Sequence, residues 1–429
     1  MLADVRIHYH TDCYWFGGSE VVLLLHVEDA FRRADEQPVF TYRAGREYEA
    51  GMASQVSSRV RATRLRLPDP ADLKRALSRN RSPRIGRALR GGVSLLPLRQ
   101  VCMAWDIGRL YAMFRAEQPD VVHINNGGYP GAISCSAAAI AARIAGVPTI
   151  VYVVNNIAVP YERPSRLIDY PVDRLVVRSV DIFVTASMIA SKAVESVLRL
   201  TADQHTVIPN AATSGAGGSR ADARHALGIP DDRLVLLLMA RLEERKGHAV
   251  LLDAITQLPE QIRDRALVLI AGDGPEKDAL QTQVHSLNIA DQVRFLGHRE
   301  DRWSLYASAD LVVLPSIGHE DMPIVIIDAM AAGRPVVATR IAGIPEQVVD
   351  FVTGRLVPPG DSGALSEAIA DLLRDDEARA AMGSAARDRY AAKYTPQRFI
   401  DAYRHLYKSI LARKHREAPQ RTRGKRTCM

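Results

Sequence analysis

Two acidic residues at a fixed spacing are the first feature of this chain that could support chemistry. Residues 314–332 run LPSIGHEDMPIVIIDAMAA, and seven residues separate Glu320 from Asp328. An apolar run at 311–314 precedes them, and the segment after Pro323 predicts the start of a helix. Eight positions span just over two helical turns, so both carboxylates can face one crevice. Strand ends and helix N-termini bind ligands and phosphates, so the stretch predicts such a site.

Two cations follow another apolar run. The segment MARLEERKGH occupies residues 239–248 and places Arg241 and Lys246 after the apolar run 234–239. An Arg offers a planar fork and a Lys a point charge to phosphate oxygens. Taken alone, the segment is explained equally well as a basic loop. Together with the two acids, it predicts a site that neutralises a diphosphate.

These segments resemble those of a known family. ARLEERKGH, residues 240–248, resembles the G-R-x-x-x-x-K-G donor-phosphate motif of retaining GT-B glycosyltransferases, family 4. HEDMPIVIIDAMAAGRPVVAT, residues 319–339, is similar to the E-x7-E segment of that family and the strand after it. The resemblance extends from FGGSE at 16–20 to Val357. It implies an α/β chain of the GT-B fold, with two Rossmann-like doubly wound domains facing a central cleft. It also implies a retaining, metal-independent hexosyltransferase with a nucleoside-diphosphate sugar as substrate and no cofactor.

The resemblance implies roles for single residues. Arg241 and Lys246 would hold the pyrophosphate, and Glu320 would contact the transferred sugar, so these three form the predicted catalytic group. Asp328 would bind the ribose hydroxyls. The other predicted donor-binding residues would act through backbone atoms or close backbone approach, and they are Gly17, Gly18, His298, Arg299, Asp321, Met322 and Ile324.

Three positions depart from the family pattern. Asp328 is one methylene shorter than the usual Glu, and Ala240 replaces a usual Gly. In VVNNIAVPY, residues 153–161, Asn155 and Asn156 stand where many relatives have a His near the reacting sugar. An amide can hydrogen-bond a hydroxyl but cannot act as a general base at neutral pH. Catalysis is therefore expected to depend on stabilising the departing diphosphate.

A polar turn forms a second candidate site. HINNGGYPG, residues 123–131, follows a predicted strand at 120–124. In one interpretation it is an acceptor-side loop from which Tyr129 projects. In the other it is a strand-to-helix turn that needs Asn and Gly for its backbone angles. The acceptor-side candidates of both loops are Asn125, Asn126, Tyr129, Asn155 and Asn156.

Apolar strand-like runs alternate with helical patterns along the chain, which is typical of parallel βαβ units. In the first half, strands are predicted near 5–9, 38–42, 120–124, 149–154 and 181–185. In the second half, they are predicted near 206–208, 234–239, 267–271, 293–296, 311–314 and 335–338.

A length of 429 residues suits two domains. NAATSGAGGS, residues 210–219, lacks large side chains that could pack, so it is predicted to be the linker. It separates an acceptor-side domain, 1–209, from a nucleotide-sugar-binding domain, 220–395. An apolar stripe predicts a helix over 396–413 that packs back on the first domain. A basic disordered tail is predicted at 414–429.

Positive charge is concentrated in two segments of a chain whose net charge is +7. Between Arg59 and Arg99 lie twelve Lys or Arg and two Asp, and the last seventeen residues hold seven Lys or Arg and one Glu. Such segments suit an anionic partner. The first, interleaved with Leu, could lie on an anionic membrane surface, or could be a solvated face over ordinary core residues. No transmembrane run or secretory signal is recognised, and four scattered cysteines suit a reduced compartment, so the predicted location is cytoplasmic, peripheral to the inner membrane face.

The predicted function is sugar transfer to a hydroxyl of a glycan or lipid-linked acceptor, in cell-surface polysaccharide or glycolipid biosynthesis. One alternative is a nucleotide-sugar isomerase on the same fold. A nucleic-acid-binding protein would use the basic segments, but aromatic residues make up only 6% of the chain, and no nucleic-acid partner is predicted. A nicotinamide-dependent dehydrogenase would need a glycine fingerprint, and the GDG at 272–274 lacks its third glycine.

Overall fold

The computed structural model describes residues 5–14, 16–33, 36–68, 98–162, 164–215, 217–318 and 320–417. The described residues divide into two compact units. The described residues of the first unit fall within Met1–Thr185, Ser191–Ile208 and Ile400–Met429, and those of the second fall within Ala186–Ala190 and Pro209–Phe399.

Each unit contains one parallel sheet. In the described part of the first unit the strand order is β3-β2-β1-β4-β5-β6-β7. These strands are β1 Val5–Thr11, β2 Glu36–Arg43, β3 Ala62–Leu65, β4 Val121–Asn126, β5 Thr149–Val154, β6 Ile182–Thr185 and β7 His205–Val207. In the second unit the order is β10-β9-β8-β11-β12-β13. These strands are β8 Leu234–Met239, β9 Ala266–Ala271, β10 Val293–Gly297, β11 Leu311–Leu314, β12 Val336–Thr339 and β13 Gly354–Val357.

Helices connect the strands, as parallel pairing requires. From the amino end they are α1 Gly18–Arg32, α2 Arg46–Gln55, α3 Leu98–Glu117, α4 Ile133–Ala145, α5 Pro164–Leu167, α6 Tyr170–Ser179, α7 Met188–Leu198, α8 Arg220–Ala226 and α9 His248–Thr256. The remainder are α10 Glu260–Arg263, α11 Lys277–Ser286, α12 Arg302–Ser308, α13 Ile324–Ala331, α14 Ile344–Gln347, α15 Ser362–Arg374, α16 Asp376–Lys393 and α17 Pro396–Glu417.

Burial on both faces explains the continuous apolar runs of the central strands. Along β8, Leu234, Leu236 and Leu238 pack into one hydrophobic cluster. Val235 and Leu237 pack into a second cluster. The strand period of two thus supplies both cores of this unit from one strand.

The strand order of each sheet reverses at one point, between β1 and β4 in the first unit and between β8 and β11 in the second. A crevice forms at such a point, outside the carboxyl ends of the strands, because the two following connections leave in opposite directions. The residues after these four strands are therefore the first places to seek ligand contacts.

The structure adds two strands to those predicted and reassigns one. The missed strands are β3, a mostly exposed edge strand with two charged or polar residues, and β13, a four-residue strand that begins at Gly354. The strand predicted at 206–208 was counted with the strands of the second half, although it lies within the predicted first domain, 1–209, and β7 pairs with β6 in the first sheet. Pairing partners of so short a segment depend on tertiary contacts.

The expectation that residues 210–219 cannot pack is wrong for part of the segment. Ala211 and Ala212 are buried, at 0% and 1% exposure. The Ala212 N–H donates to the Tyr394 carbonyl at 3.2 Å, and the Tyr390 hydroxyl donates to the Ala212 carbonyl at 2.9 Å. Small side chains allow this close backbone approach, which composition alone does not reveal.

The two basic segments are described only in part. Residues 69–97 and 418–429 lie outside the described residues. Helix α17 continues to Glu417, so residues 414–417 of the predicted disordered tail are helical. Within the described ranges, no helix combines the length and apolar character needed to cross a bilayer.

Candidate functional site

The predicted phosphate-binding residues follow β8 directly. The strand ends at Met239, a 3-10 turn covers Glu244–Lys246, and α9 begins at His248. The loop after β11 lies against this turn, because the N–H groups of Ile317 and Gly318 both donate to the Arg245 carbonyl, at 2.8 and 3.1 Å. The loops after β8 and β11 therefore meet at the switch point of the second sheet.

Gly247 makes this contact between loops possible. Its φ of +70° lies in the left-handed region, and a Cβ placed there would be 1.9 Å from the Pro315 carbonyl oxygen. Only glycine combines that backbone angle with so close an approach. The glycine of the motif is thus explained by the packing of two loops.

Lys246 and Glu320 are in direct contact. The Lys246 ammonium donates to Glu320 Oε2, and the same oxygen lies 3.3 Å from Arg245 Nη1 and 3.4 Å from Ser316 Oγ. The Lys246 and Glu320 side chains are only 11% and 12% exposed. The structure therefore brings together one cation and one acid predicted from separate segments.

Arg241 belongs to the same charged group through intermediate residues. Its Nε donates to Glu243 at 2.7 Å, and Glu243 also accepts from Arg245 Nε at 2.9 Å. Three cations thus face two carboxylates, which leaves an excess of positive charge suited to an anion. Arg245 was not among the predicted site residues, although it lies between Arg241 and Lys246 in ARLEERKGH and adjoins Lys246.

Burial dominates the electrostatics of Lys246. Desolvation lowers the pKa of Lys246, and the neighbouring Glu320 charge opposes that effect. A largely desolvated cation gains strongly from a further anion, because little water screens the interaction. The arrangement can therefore stabilise negative charge that develops on a bound group.

The residues between Glu320 and α13 are mostly buried. Asp321 and Met322 are 3% and 6% exposed, and Ile324 is the first residue of α13 after Pro323. The Ser187 hydroxyl donates to Asp321 Oδ1, whereas Oδ2 has no hydrogen-bond partner among the described residues. Burial raises the pKa of Asp321 to about 6. A protonated Asp321 would be a buried donor beside the charged group.

Asp328 has a different partner from Glu320. Its Oδ2 lies 3.5 Å from Arg302 Nε, and Oδ1 lacks a hydrogen-bond partner among the described residues. Burial raises the pKa of Asp328 to about 7, against the opposing charge of Arg302. The segment before Ile324 is not helical, so helical spacing does not relate the two acids. The ion pairs of the described residues do not connect Asp328 to Lys246.

His298 and Arg299 follow β10, the edge strand of this sheet, and both are exposed. Arg299 binds Asp301 through Nε at 2.7 Å and Nη2 at 2.6 Å. The structure thus gives Arg299 a local partner two residues away. The role of the pair beside a nucleotide base stays a prediction.

Gly17 and Gly18 lie in the first unit, after β1. Gly18 begins α1, and the Gly17 carbonyl accepts the N–H of Glu20 at 3.0 Å. Glu20 is fully buried and accepts Thr11 Oγ1 and Asn125 Nδ2, both at 2.9 Å. Burial raises the pKa of Glu20. The acid of FGGSE therefore anchors the loop from within.

Three acceptor-side candidates prove to be buried, so the expectation that Tyr129 projects from its turn is wrong. Tyr129 is 1% exposed and its hydroxyl donates to Asp173 at 3.0 Å. Its ring packs edge-on against Tyr152 and Phe183, which explains its burial. Asn125 and Asn126, at 2% and 1% exposure, serve internal bonds in the same way.

The described bonds of Asn126 support the backbone-turn interpretation of HINNGGYPG. Its Oδ1 accepts the Ala132 N–H at 3.2 Å, and its Nδ2 donates to the Pro130 carbonyl at 3.2 Å. Asn155 and Asn156 are half-buried and remain candidates. Asn155 Nδ2 donates to Asn125 Oδ1 at 2.8 Å, while Asn156 Oδ1 accepts the N–H of Ile157 at 2.8 Å.

Two family models match the chain. Residues 17–211 match "Glycosyl transferase 4-like domain" and residues 219–389 match "Glycosyl transferases group 1". The chain is similar to D-inositol 3-phosphate glycosyltransferase of Corynebacterium diphtheriae, 38% identical over 190 residues, which are 43% of this chain and 44% of the relative. It is also similar to a GDP-mannose-dependent alpha-(1-6)-phosphatidylinositol monomannoside mannosyltransferase of Mycolicibacterium smegmatis, 36% identical over 39% of this chain and 46% of the relative. The chain thus spans less than half the length of these curated relatives.

Solved structures share the fold over nearly the whole chain. Anabaena HepE in complex with UDP has a TM-score of 0.73 at 22% identity and covers 94% of this chain and 100% of its own. Sucrose-phosphate synthase of Thermosynechococcus elongatus has a TM-score of 0.72 at 20% identity and covers 95% and 100%. These likenesses confirm the predicted GT-B fold of two α/β domains.

Proposed function

We propose a function for this chain from the family to which it belongs, the family 4 glycosyltransferases of the GT-B fold. We infer that it transfers a sugar from a nucleoside-diphosphate sugar to a hydroxyl group. The reaction retains the anomeric configuration and needs no metal, as the resemblance implies.

The contact between Lys246 and Glu320 carries this proposal. It joins the loops after β8 and β11 at the switch point of the second sheet, where open α/β sheets bind their ligands. Arg241 and Arg245 add two positive charges to the same group. A diphosphate leaving group is the kind of anion that this excess of charge would stabilise.

The proposed roles follow from that placement. Lys246, Arg245 and Arg241 bind the pyrophosphate, and Glu320 contacts the transferred sugar. Asp328 accepts hydrogen bonds from the ribose hydroxyls, for which its Oδ1 is suited, because that atom is buried without a partner among the described residues. Arg302 holds the Asp328 carboxylate from the other side.

The acceptor is proposed to be a glycan or a lipid-linked molecule bound by the first unit. The names of the two relatives above point to inositol-containing acceptors for those proteins, which supports a polyol hydroxyl as the class. Cell-surface polysaccharide or glycolipid biosynthesis, in the cytoplasm at the inner membrane face, would place the chain beside such acceptors. The basic segments at 59–101 and 413–429 suit that surface by charge.

A ligand screen followed by a transfer assay tests the proposal. Thermal unfolding is measured with UDP, GDP, ADP and the corresponding sugar nucleotides, since a ligand that binds the folded state raises the Tm. The stabilising sugar nucleotide is then incubated with myo-inositol phosphate or lipid acceptors, and the anomeric configuration of the product is read by NMR. Inversion would contradict the retaining assignment. Turnover of the sugar nucleotide without any acceptor would instead indicate an isomerase.

A further inference from the structure

A continuous chain of six hydrogen-bonding side chains runs through the first unit beside β1. Its links are Glu117 Oε2 to His8 Nδ1 at 2.6 Å, His8 Nε2 to Thr41 Oγ1 at 2.9 Å, Thr41 Oγ1 to His10 Nδ1 at 3.0 Å, His10 Nε2 to Ser134 Oγ at 3.2 Å, and Ser134 Oγ to Asp12 Oδ2 at 2.6 Å. We call these six residues the relay. They alternate between imidazoles and hydroxyls and end on a carboxylate at each side.

Strand geometry explains why the relay is continuous. His8 and His10 are two residues apart on β1, so they lie on the same face of the sheet. Thr41 is directly paired with His10 on the neighbouring strand β2. Asp12 follows the end of β1, and Ser134 lies in the first turn of α4. The relay thus leads to the switch point of the first sheet.

The middle of the relay is sealed from water, the Glu117 end is partly exposed, and the Asp12 end is nearly buried. His8, His10 and Thr41 are 0% exposed, and Ser134 is 1% exposed. The Glu117 and Asp12 side chains are 29% and 8% exposed. Arg43 Nη1 lies 3.8 Å from Asp12 Oδ1, which favours a charged Asp12.

The hydrogens of the relay can be assigned from the Asp12 end. The Ser134 hydroxyl donates to Asp12, so its oxygen must accept from the Nε2–H of His10. Burial lowers the pKa of His10 to about 3, so His10 is neutral and its Nδ1 must accept a hydrogen. Thr41 supplies it at 3.0 Å, in preference to the longer 3.3 Å contact with the Tyr9 carbonyl.

With this assignment the relay holds one proton more than it would if both histidines were neutral and both carboxylates were ionised. The Thr41 oxygen accepts from the Nε2–H of His8, which leaves His8 Nδ1 facing Glu117 at 2.6 Å. That distance also needs a hydrogen, because two lone pairs would repel. The excess proton is therefore held between His8 and Glu117 when Asp12 is charged.

The same proton can appear at the other end by a shift along the relay. Ser134 gives its hydrogen to Asp12, His10 Nε2 gives its hydrogen to Ser134, Thr41 gives its hydrogen to His10 Nδ1, and His8 Nε2 gives its hydrogen to Thr41. His8 becomes neutral and keeps Nδ1–H toward the Glu117 carboxylate, and Asp12 becomes a carboxylic acid. No bond between heavy atoms changes, and the net result is one proton moved from His8 to Asp12.

We propose that the relay stores one exchangeable proton and makes Asp12 a proton-exchange group at the ligand-binding edge of the first sheet. Glu117, His8, Thr41, His10 and Ser134 are positioning residues that act through Asp12. This last assignment rests on the proposed glycosyl transfer: the group that exchanges its proton with Asp12 is then the acceptor hydroxyl.

Histidine ring ¹⁵N NMR on the full chain, without any substrate, tests the relay. In the wild type we expect His8 to carry hydrogens on both ring nitrogens and His10 to be the neutral Nε2–H tautomer. A singly protonated His8 in the wild type would overturn the proposal, because the excess proton would be absent.

Two variants are expected to remove the excess proton, and only one of them should change the tautomer of His10. In Ser134→Ala the His10 Nε2 loses its acceptor, so the relay reverses and both histidines become Nδ1–H tautomers. In Glu117→Gln the amide donates to His8 Nδ1, so both histidines become Nε2–H tautomers. Ser134 is three hydrogen bonds away from His8. If its hydroxyl were merely structural, Ser134→Ala would not change the protonation of the His8 ring.

Ser136→Ala is the matched control, because Ser136 is a buried serine on the same helix outside the relay. It should leave both ring signatures as in the wild type. If Ser134→Ala also leaves His8 unchanged, the relay is refuted.

In the transfer assay, Ser134→Ala should lower kcat by about 100-fold relative to Ser136→Ala with unchanged donor KM. Equal kcat values would show that Asp12 does not exchange its proton with the acceptor hydroxyl. A wild type that is inactive in transfer would refute only the proposed function, because the NMR spectra need no substrate.

Discussion

Lys246 and Glu320 form an ion pair that compensates each buried charge for its lost hydration. Both side chains are nearly buried, and Glu320 also accepts from Arg245 and Ser316. Removal of one partner leaves the other buried charge uncompensated, which is more costly than the pair is stabilising. An anionic ligand would also interact favourably with Arg241, Arg245 and Lys246. Their substitution should therefore affect ligand binding and catalysis as well as stability.

Lys246→Ala should lower kcat/KM for sugar transfer. The expected loss of transition-state stabilisation is about 2–4 kcal/mol, the range for removal of one donor that stabilises developing charge. Steady-state kinetics with the donor found in the ligand screen measures this. Lys408→Ala, at an exposed position of α17, is the control and should leave the rate unchanged. Equal rates for the two variants would remove Lys246 from the catalytic group.

Asp328 should make stability depend on pH. Its folded pKa of about 7 lies above the ordinary value of 3.8, so the folded chain binds more protons between these pH values. The free energy of unfolding therefore falls as pH rises through this window. Asp328→Asn removes the titration, so its stability relative to wild type should increase by a few kcal/mol from pH 5 to pH 8.

Urea unfolding of Asp328→Asn at pH 5 and pH 8 provides the measurement, and Asp388→Asn at an exposed site of α16 is the control. A constant difference between Asp328→Asn and wild type would show that burial does not shift this carboxyl. Calorimetry with the free nucleotide should also show weaker binding to Asp328→Ala, as the ribose role requires.

The elements around the site depend on the approach of two loops. The Arg245 carbonyl accepts two N–H groups from the loop after β11, and Gly247 and Gly318 leave room for the contact. A Cβ on Gly318 would be 2.6 Å from Arg245 Cβ. The loop after β8 can therefore present Lys246 to Glu320 only if these positions stay small.

Gly247→Ala should destabilise the chain by more than the 1–3 kcal/mol of a strained backbone angle, because the new Cβ also meets the Pro315 carbonyl. Gly228→Ala is the matched control, since Gly228 has a φ of +58° and its Cβ would have no atom within 4 Å. Urea unfolding and nucleotide binding should both be weaker in Gly247→Ala. Equal losses in the two variants would show that the loop contact contributes nothing.

At the scale of the whole molecule, the last helix ties the end of the chain to the first unit. The Tyr407 hydroxyl and His123 Nδ1 are 2.7 Å apart. Lys414 Nζ lies 2.6 Å from Asp181 Oδ1 and donates to the Pro148 carbonyl. A cut within 414–417 therefore removes structured residues, although a disordered tail was predicted to begin at 414.

A chain that ends at Arg413 should be less stable than one that ends at Glu417 by about 1–3 kcal/mol, because Asp181 loses a charged hydrogen-bond partner. Thermal and urea unfolding of the two truncations measure the difference. Lys414→Ala in the longer chain should reproduce most of the loss. If both truncations unfold alike, the Lys414 contact is not stabilising.

Local patterns were sufficient for the architecture and the family. The apolar runs of β8 and β11 and the ARLEERKGH and HEDMP segments are contiguous in sequence, so they identify parallel strands, their following loops and the GT-B resemblance. Contiguous motifs can be recognised from the sequence alone, because the spacing of neighbouring residues indicates the strand period and the chemistry of the following loop.

Only the tertiary structure decided which side chains meet. Glu320 contacts Lys246, whereas Asp328 pairs with Arg302 on another helix, and Tyr129 turns into the core. The alternation of His8, His10 and Asp12 is visible along β1, but their partners Thr41, Ser134 and Glu117 come from three other elements. Hydrogen bonds and burial join residues that are distant in the chain, so spacing along the sequence cannot determine them.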